Sequence, residues 1–332
     1  MESSNLSQKA AAYLQTLCLE APHRRVGSQG NRLATDRVAR TMRALGWQVD
    51  CPEFACIDWL QGGARLTVQG DAFDVRVSPF SPGCRAEVPL VVVSTLDELE
   101  GAELSGRLVL VRGELAREQL SPKNFPFYNP DEHRRIVGLL EAKAPVAIVA
   151  PTSRNPELAG GVYPFPLIED GDFDIPSVDM TEEEGQRLAA RAGQEAVLVS
   201  EAARIAATGC NVLARRGPQD RRLVVCAHID TKENTPGALD NAGGVIVLLL
   251  LAELLAGYDG ELGIEIFVVN GEDYYAAPGE ILYLQQNAGR MEQIRLAVNL
   301  DAVGHRQGAT AFSLYGCPDE EAVAVRRALS RP

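Results

Sequence analysis

Hydrophobic positions near the N-terminus repeat with the spacing of an amphipathic helix. Residues 8–20 place Ala11, Leu14, Leu17 and Cys18 on one side, the stripe that a helix buries against a core. A second stretch of this kind ends at Gly46, and the letters WQVD that follow predict a short strand. The chain is therefore expected to begin as helix, loop, helix and strand.

Residues 51–205 show a different pattern, in which short apolar runs alternate with Pro and Gly. The runs ARLTVQG, FDVRVS, PLVVVS, GRLVLVRG, APVAIVAP and IPSVDM are typical of strands joined by turns. Helical stretches interrupt them at 130–144 and 181–191, and Thr181 with Glu184 forms a capping box at the start of the second. We expect an inserted, β-rich module here.

From about residue 206 the chain alternates between apolar strands and helices. Strands are predicted in RRLVVCAHI, LGIEIFVVN and IRLAVNLDAVG, with a fourth in TAFSLYG, and helices in DNAGGVIVLLLLAELLAG, ILYLQQNAG and EEAVAVRRALSRP. This alternation predicts an α/β fold with a mostly parallel mixed sheet sandwiched by helices. Residues 1–50 and 206–332 then form one discontinuous domain, and residues 51–205 are inserted between its two parts.

Composition narrows the classes of function. The 332 residues carry 32 basic and 45 acidic side chains, a net charge of −13, which argues against a nucleic-acid partner and against docking on anionic lipid. The longest apolar run, 245–252, is far shorter than the ~20 residues of a membrane span. Seven scattered cysteines without a CxxC pair, and no secretory leader, favour reduced thiols in a cytoplasmic protein.

The residues that carry chemistry occur where predicted strands end or the following helix begins. They are His228, Asp230, Asp240, Glu272, Asp273 and Asp301. Because the carboxyl ends of parallel strands converge on one crevice of an open sheet, we expect these side chains to meet there.

One imidazole with several carboxylates suits zinc, or two zinc-like ions that share a bridging carboxylate. Asp240 is the natural bridge, and Asp230, on the same strand face as His228, is placed to orient the imidazole. One member of Glu272-Asp273 would bind metal, and the other would take a proton from a metal-bound water. These parts together predict a hydrolase.

The order of these motifs resembles the M28 family of zinc aminopeptidases. The matching text is AHIDTKENTPGALDNAGGVIVLLLLAELL, FVVNGEDYYAAPGEILYL and VNLDAVG. The inserted module is similar to a protease-associated (PA) domain through GRLVLVRG, APVAIVAP and IPSVDMTEEEGQRLA. The resemblance implies a zinc-exopeptidase fold that removes N-terminal residues from peptides with a free N-terminus.

The same resemblance assigns roles to the strand-end residues. His228, Asp240 and Asp301 would hold one zinc, Asp240 and Asp273 would hold a second, and Glu272 would be the general base.

The family's second zinc also requires a histidine well after the last aspartate. His305, in the loop GHRQG, is the only histidine after Asp301 and is read as an ordinary loop residue. The expectation is a C-terminally truncated peptidase with an incomplete second metal site. Two alternatives stay open: a glutaminyl cyclase-like acyltransferase with one zinc, and a non-catalytic binding protein that keeps the fold.

Overall fold

The computed structural model describes residues 3–152, 165–233, 235–308 and 311–329. The α-helices of these parts are α1 (Ser3–Gln15), α2 (Gln29–Ala44), α3 (Leu96–Gly101), α4 (Asp131–Lys143), α5 (Glu182–Ala189), α6 (Gly243–Leu254), α7 (Pro278–Gln286) and α8 (Asp319–Leu329). The strands are β1 (Gln48–Asp50), β2 (Glu53–Val68), β3 (Asp71–Phe73), β4 (Arg76–Val77), β5 (Cys84–Val93), β6 (Leu108–Val111), β7 (Ala147–Thr152), β8 (Ser177–Thr181), β9 (Glu195–Cys210), β10 (Val212–Arg216), β11 (Arg222–His228), β12 (Gly263–Val269) and β13 (Ile294–Asn299).

The first sheet carries the predicted chemistry and has the strand order β1-β10-β12-β11-β13. β11 lies parallel to both β12 and β13, whereas β10 is antiparallel to β1 and β12. The carboxyl ends of the three parallel strands therefore share one edge of the sheet, where His228 ends β11. This arrangement confirms the predicted mixed α/β sheet.

Helices cover both faces of the first sheet. On one face α1, α2 and α6 build a core in which Met42, Val245 and Leu248 are fully buried, and each such side chain stabilises the fold by about 1.5–3 kcal/mol. On the other face the ring of Tyr283, from α7, stacks on Phe267 of β12 at 4.2 Å between ring centroids. The sheet is thus held from both sides while its strand ends stay accessible.

The second sheet is built from residues 53–210, which we call the middle region. Its order is β3-β2-β9-β5-β6-β7-β8-β4, with a long antiparallel pair of β2 and β9 that runs from Glu53↔Cys210 to Val68↔Ala196. The expected strands and the helices α4 and α5 are present, and the Thr181 hydroxyl accepts from the Glu184 N–H at 3.3 Å. The similarity of this region to a PA domain stays a prediction, as does the division into domains.

Three features of the strands differ from the sequence expectation. β9 and β10 were not expected, and the change of domain predicted at 205–206 falls inside β9. Residues 311–316 of the predicted strand TAFSLYG are not in a strand, and Thr310 lies outside the described residues. A strand needs a hydrogen-bonded neighbour, whereas Tyr315 in this stretch is 88% exposed.

None of the helices in the described parts is long and apolar enough to cross a membrane. The seven cysteines form no disulfide in the structure.

Candidate functional site

The imidazole of His228 lies at the end of β11 between a main-chain carbonyl and a group of carboxylates. Its side chain is only 3% exposed, and Nδ1 lies 3.1 Å from the carbonyl oxygen of Asp230. A carbonyl oxygen can only accept a hydrogen bond, so Nδ1 carries the hydrogen and donates it. Nε2 therefore faces the carboxylates and is the nitrogen available to a cation.

Three partly exposed carboxylates surround His228 Nε2. The distances from this nitrogen are 2.9 Å to Asp240 Oδ1, 3.7 Å to Asp301 Oδ1 and 3.8 Å to Glu272 Oε2. Burial opposes protonation of His228, but Asp230, Asp240 and Asp301 outweigh it and raise the pKa of the imidazole. The structure thus brings together the groups that the strand ends predicted.

The turn before α6 holds Asp240 against the end of β13. Asn241 is fully buried; its Nδ2 donates to the Leu300 carbonyl at 2.8 Å, and its Oδ1 accepts from the Gly244 N–H at 3.0 Å. A Cβ on Gly244 would lie 2.4 Å from Asn241 Oδ1, so a larger residue could not approach as closely. The letters DNAGG therefore fix Asp240 beside the strand end that leads to Asp301.

The carboxylate of Asp230 binds the loop that carries Glu272 and Asp273. Its Oδ1 accepts from the N–H groups of Gly271 at 2.8 Å and Glu272 at 3.3 Å, and its Oδ2 accepts from the Asp273 N–H at 2.9 Å. Burial raises the pKa of Asp230, but His228 and the loop amides outweigh it and lower that pKa. Because these amides engage the carboxylate, its Oδ1 stays 3.6 Å from His228 Nδ1, and the closer contact with the ring is the carbonyl.

Asp273 shares its surroundings with a lysine. Burial raises the pKa of Asp273 to about 7, although Lys232 opposes the shift. Lys232 Nζ lies 3.7 Å from Asp273 Oδ1 and 3.2 Å from Glu169 Oε1, which belongs to the middle region. Asp273 Oδ2 is buried, and within the described chain it has no hydrogen-bond partner. An unpartnered buried carboxylate oxygen is costly, so this atom is available to a ligand or a proton.

Glu272 combines access to solvent with a shifted pKa. Its side chain is 49% exposed. The pKa of Glu272 is raised, mainly by partial burial. The charges of Asp230 and Asp301 raise this pKa further, and His228 opposes the shift. Such a carboxylate holds a proton more firmly than an ordinary glutamate, which suits a group that accepts and passes on a proton.

A cavity of about 270 Å³ opens beside Glu272 and Asp273. Its opposite wall comes from the middle region and includes Gln119, Phe125 and Tyr128. A larger cavity of about 830 Å³ lies near Arg222, at the start of β11 and therefore at the other end of the strand from His228. The smaller cavity is the one that the candidate chemistry can reach.

Two groups of three side chains in the described residues have the geometry to hold a metal ion. They are His228 with Asp240 and Asp301, and His228 with Glu272 and Asp273. In each group the ligand atoms lie within 4.8 Å of one another. One imidazole with carboxylates is a donor set that fits zinc.

Sequence reasoning missed the contribution of the middle region. Glu169 reaches Lys232, and Tyr274 and Tyr275, directly after Asp273, each pack edge-on against Phe80 at 5.2 Å. In the sequence these residues are recognisable only as acidic or aromatic side chains. Their spacing does not predict contacts between residues so far apart in the chain.

The part of the chain that contains the six predicted site residues is similar to a known protein family. Residues 211–331 match the model of Peptidase family M28. This part of the chain is similar to that family. The M28 match includes all six predicted site residues and excludes β1 and the middle region.

Two curated proteins are similar over most of this chain. A probable leucine aminopeptidase 2 of Aspergillus fumigatus is 24% identical over 283 residues, which are 78% of this chain and 51% of that protein. The probable lipoprotein aminopeptidase LpqL of Mycobacterium tuberculosis is 23% identical over 291 residues, 84% of this chain and 54% of that protein. The chain thus spans about half the length of these relatives.

Solved structures show the same fold. The aminopeptidase of Aneurinibacillus sp. strain AM-1 matches with a TM-score of 0.68 and 21% identity, over 91% of this chain and 71% of that one. BSAP, a zinc aminopeptidase from Bacillus subtilis, matches with a TM-score of 0.74 and 18% identity, over 98% and 78% of the two chains. The match to both therefore covers the middle region as well as the M28 part.

Proposed function

We propose that this chain is a zinc-dependent aminopeptidase that hydrolyses N-terminal residues from peptides. The observation that carries the proposal is the group around His228 Nε2, where Asp240, Asp301 and Glu272 converge within 3.8 Å. The M28 match over the same residues and the aminopeptidase names of the relatives support it.

His228, Asp240 and Asp301 would hold the metal ion. Bound zinc would polarise the scissile carbonyl and lower the pKa of the attacking water. The hydrogen bond from Nδ1 to the Asp230 carbonyl fixes the ring, so that Nε2 would be the nitrogen that binds the ion. Asn241 holds the turn of Asp240 to the end of β13, so the carboxylates of Asp240 and Asp301 would be positioned together to bind the ion.

Glu272 would accept the proton of the attacking water and deliver it to the leaving amine. Asp230 fixes the loop of Glu272 through three amide hydrogen bonds, so the base is oriented by the main chain rather than by its own side chain. The raised pKa of Glu272 suits both halves of this transfer.

The peptide would lie in the cavity beside Glu272 and Asp273. The carboxylates at its edge would receive the free ammonium group of the substrate, which favours removal of terminal residues over internal cleavage. Gln119, Phe125 and Tyr128 place the middle region against the bound peptide. In this proposal the middle region forms part of the substrate site.

The test of the base is Glu272→Gln in the zinc-loaded chain. The amide keeps the shape and removes the proton acceptor, so turnover of a short peptide with a free N-terminus should fall by roughly 10²–10⁴ while zinc content stays unchanged. Glu292→Gln, an exposed glutamate in the turn before β13, is the matched control. Unchanged turnover in Glu272→Gln would remove Glu272 from the mechanism.

The test of the substrate class compares a free peptide with its N-acetylated form. Loss of cleavage on acetylation is expected, because the ammonium group is then absent. Equal cleavage of both would contradict exopeptidase action, and release of ammonia from an N-terminal glutamine peptide would indicate the acyltransferase instead.

A further inference from the structure

Lys232 occupies a fixed position between the middle region and the candidate metal centre. Its Nζ lies 3.2 Å from Glu169 Oε1 and donates to the main-chain carbonyl of Asp273 at 3.2 Å. The second oxygen of Glu169 accepts from Gln119 Nε2 at 3.0 Å. Glu169 is therefore held in turn, and the ammonium group cannot swing away without losing its ion pair with Glu169.

The two metal-binding groups of the described chain share their only imidazole. Both use His228, and one Nε2 lone pair binds one ion. When His228 serves the group with Asp240 and Asp301, the second group among the described residues keeps the carboxylates of Glu272 and Asp273 alone. The positive charge beside it is already Lys232, 3.7 Å from Asp273 Oδ1.

A second divalent ion at Asp273 would therefore meet a fixed positive charge. Like charges a few ångströms apart repel strongly at a partly buried site, where the effective dielectric is well below that of water. Asp273 is only 12% exposed and therefore requires a positive counter-charge. Lys232 supplies this charge, as a second ion would. Removing the lysine charge would leave Asp273 Oδ1 and the unpartnered Oδ2 open to a cation.

We propose that Lys232 takes the electrostatic place of a second metal ion at Asp273, and that the chain consequently binds a single zinc ion, at His228, Asp240 and Asp301. Glu169 of the middle region holds the lysine in this position. Lys232 is a positioning residue, because it acts through Asp273. The inference rests on the proposed function, which supplies the ligand set of the single ion.

The experiment is a zinc titration of the metal-free full chain by calorimetry, with elemental analysis after dialysis. The wild-type chain should bind one ion. Lys232→Gln keeps a donor for Glu169 and removes the charge, and Lys232→Met removes both. In either variant a second ion should bind at least about tenfold more tightly than to the wild-type chain, with the affinity of the first ion little changed.

Two further variants locate the effect. Lys143→Met is the matched control, since the Lys143 ammonium binds main-chain carbonyls of Glu100 and Ala102 within the middle region; it should retain the wild-type titration. Adding Asp273→Asn to Lys232→Gln should abolish the gained second ion, because the neutral amide is a poor ligand.

The outcomes separate this inference from the proposed function. The role of Lys232 would be overturned if the wild-type chain bound two ions tightly, or if neither lysine variant bound a second ion more tightly than the wild-type chain. Either result would leave the proposed metal centre unchanged. No bound ion in any correctly folded variant would overturn the metal centre itself, and the role of Lys232 with it.

Discussion

The carboxylates around His228 form two sets that differ in their partners. Asp240, Glu272 and Asp301 are about half exposed and face the imidazole, and Asp301 accepts a backbone hydrogen bond from Ala302. Asp230 is 1% exposed and accepts three amide hydrogen bonds. In the proposed function the open set serves an ion and a substrate, whereas the buried Asp230 fixes the loop of Glu272 and Asp273.

This contrast teaches that proximity to the imidazole does not by itself make a ligand. Asp230 is closer to His228 in sequence than any other carboxylate, yet its oxygens are engaged by the loop amides. Asp273 lies between the two sets, with one oxygen near Lys232 and the other without a hydrogen-bond partner among the described residues. The partners of a carboxylate thus separate a structural role from a ligand role.

The largest effect on stability is expected for Asp230→Ala. The substitution leaves the N–H groups of Gly271, Glu272 and Asp273 without their acceptor in a buried site. Loss of one partner from such a charged cluster should lower the free energy of unfolding by about 3–5 kcal/mol. Urea titration in a Trp59→Phe background would follow Trp47, which is buried in the core of the first sheet.

Asp240→Ala is the counterpart from the open set, with the next largest effect. Zinc affinity should fall at least about 100-fold, since a direct ligand contributes more than the 10–100-fold typical of its supporting residues. The unfolding free energy of the metal-free chain should change by less than about 1 kcal/mol. Equal unfolding losses in Asp240→Ala and Asp230→Ala would erase the distinction between the two sets.

The smallest effect is expected for Glu253→Gln, a protein-partnered carboxylate outside the site. Burial raises the pKa of Glu253, but hydrogen bonds from Lys9 and Tyr13 outweigh it and lower that pKa below the ordinary value of 4.5. The side chain therefore stabilises the fold above pH 4.5, and this contribution is lost as the pH falls through the lowered value.

The loss in Glu253→Gln should be about 1 kcal/mol at pH 7, because Lys9 is 39% exposed and solvent screens the pair. Urea titrations at pH 7 and pH 3 would compare the two proteins. A difference that grows towards acid would contradict the sign of the linkage.

The sequence predicted the parallel strands of the first sheet well because their signals are local, whereas β10 was not expected. Apolar runs mark β11, β12 and β13, and strand-end residues converge wherever such strands are parallel. The position of Asp240 follows from DNAGG, since the glycines permit the close approach of α6 to the strand ends. These three strands and the cluster of side chains at their ends could therefore be predicted without knowledge of contacts between distant parts of the chain.

Other features depend on partners distant in the chain. β9 has polar and small residues where strict alternation would place apolar ones, and it exists because β2 pairs with it over most of its length. The contact of Lys232 with Glu169 joins two segments 63 residues apart. The hydrogen-bond donors to Asp230 are backbone N–H groups, and every residue type except proline has one, so the sequence does not mark them.

The register at the edge of the first sheet has a consequence for how such a chain can be remodelled. Asp50 pairs with Leu213, and a few residues further on Glu53 pairs with Cys210. The chain thus leaves the first sheet and returns to it at adjoining positions, as it would through an ordinary hairpin. Closing that gap needs only a short turn, and the loop entropy of the long excursion grows slowly with its length. A change in the length of the middle region at this junction would therefore leave the strand order of the first sheet unchanged.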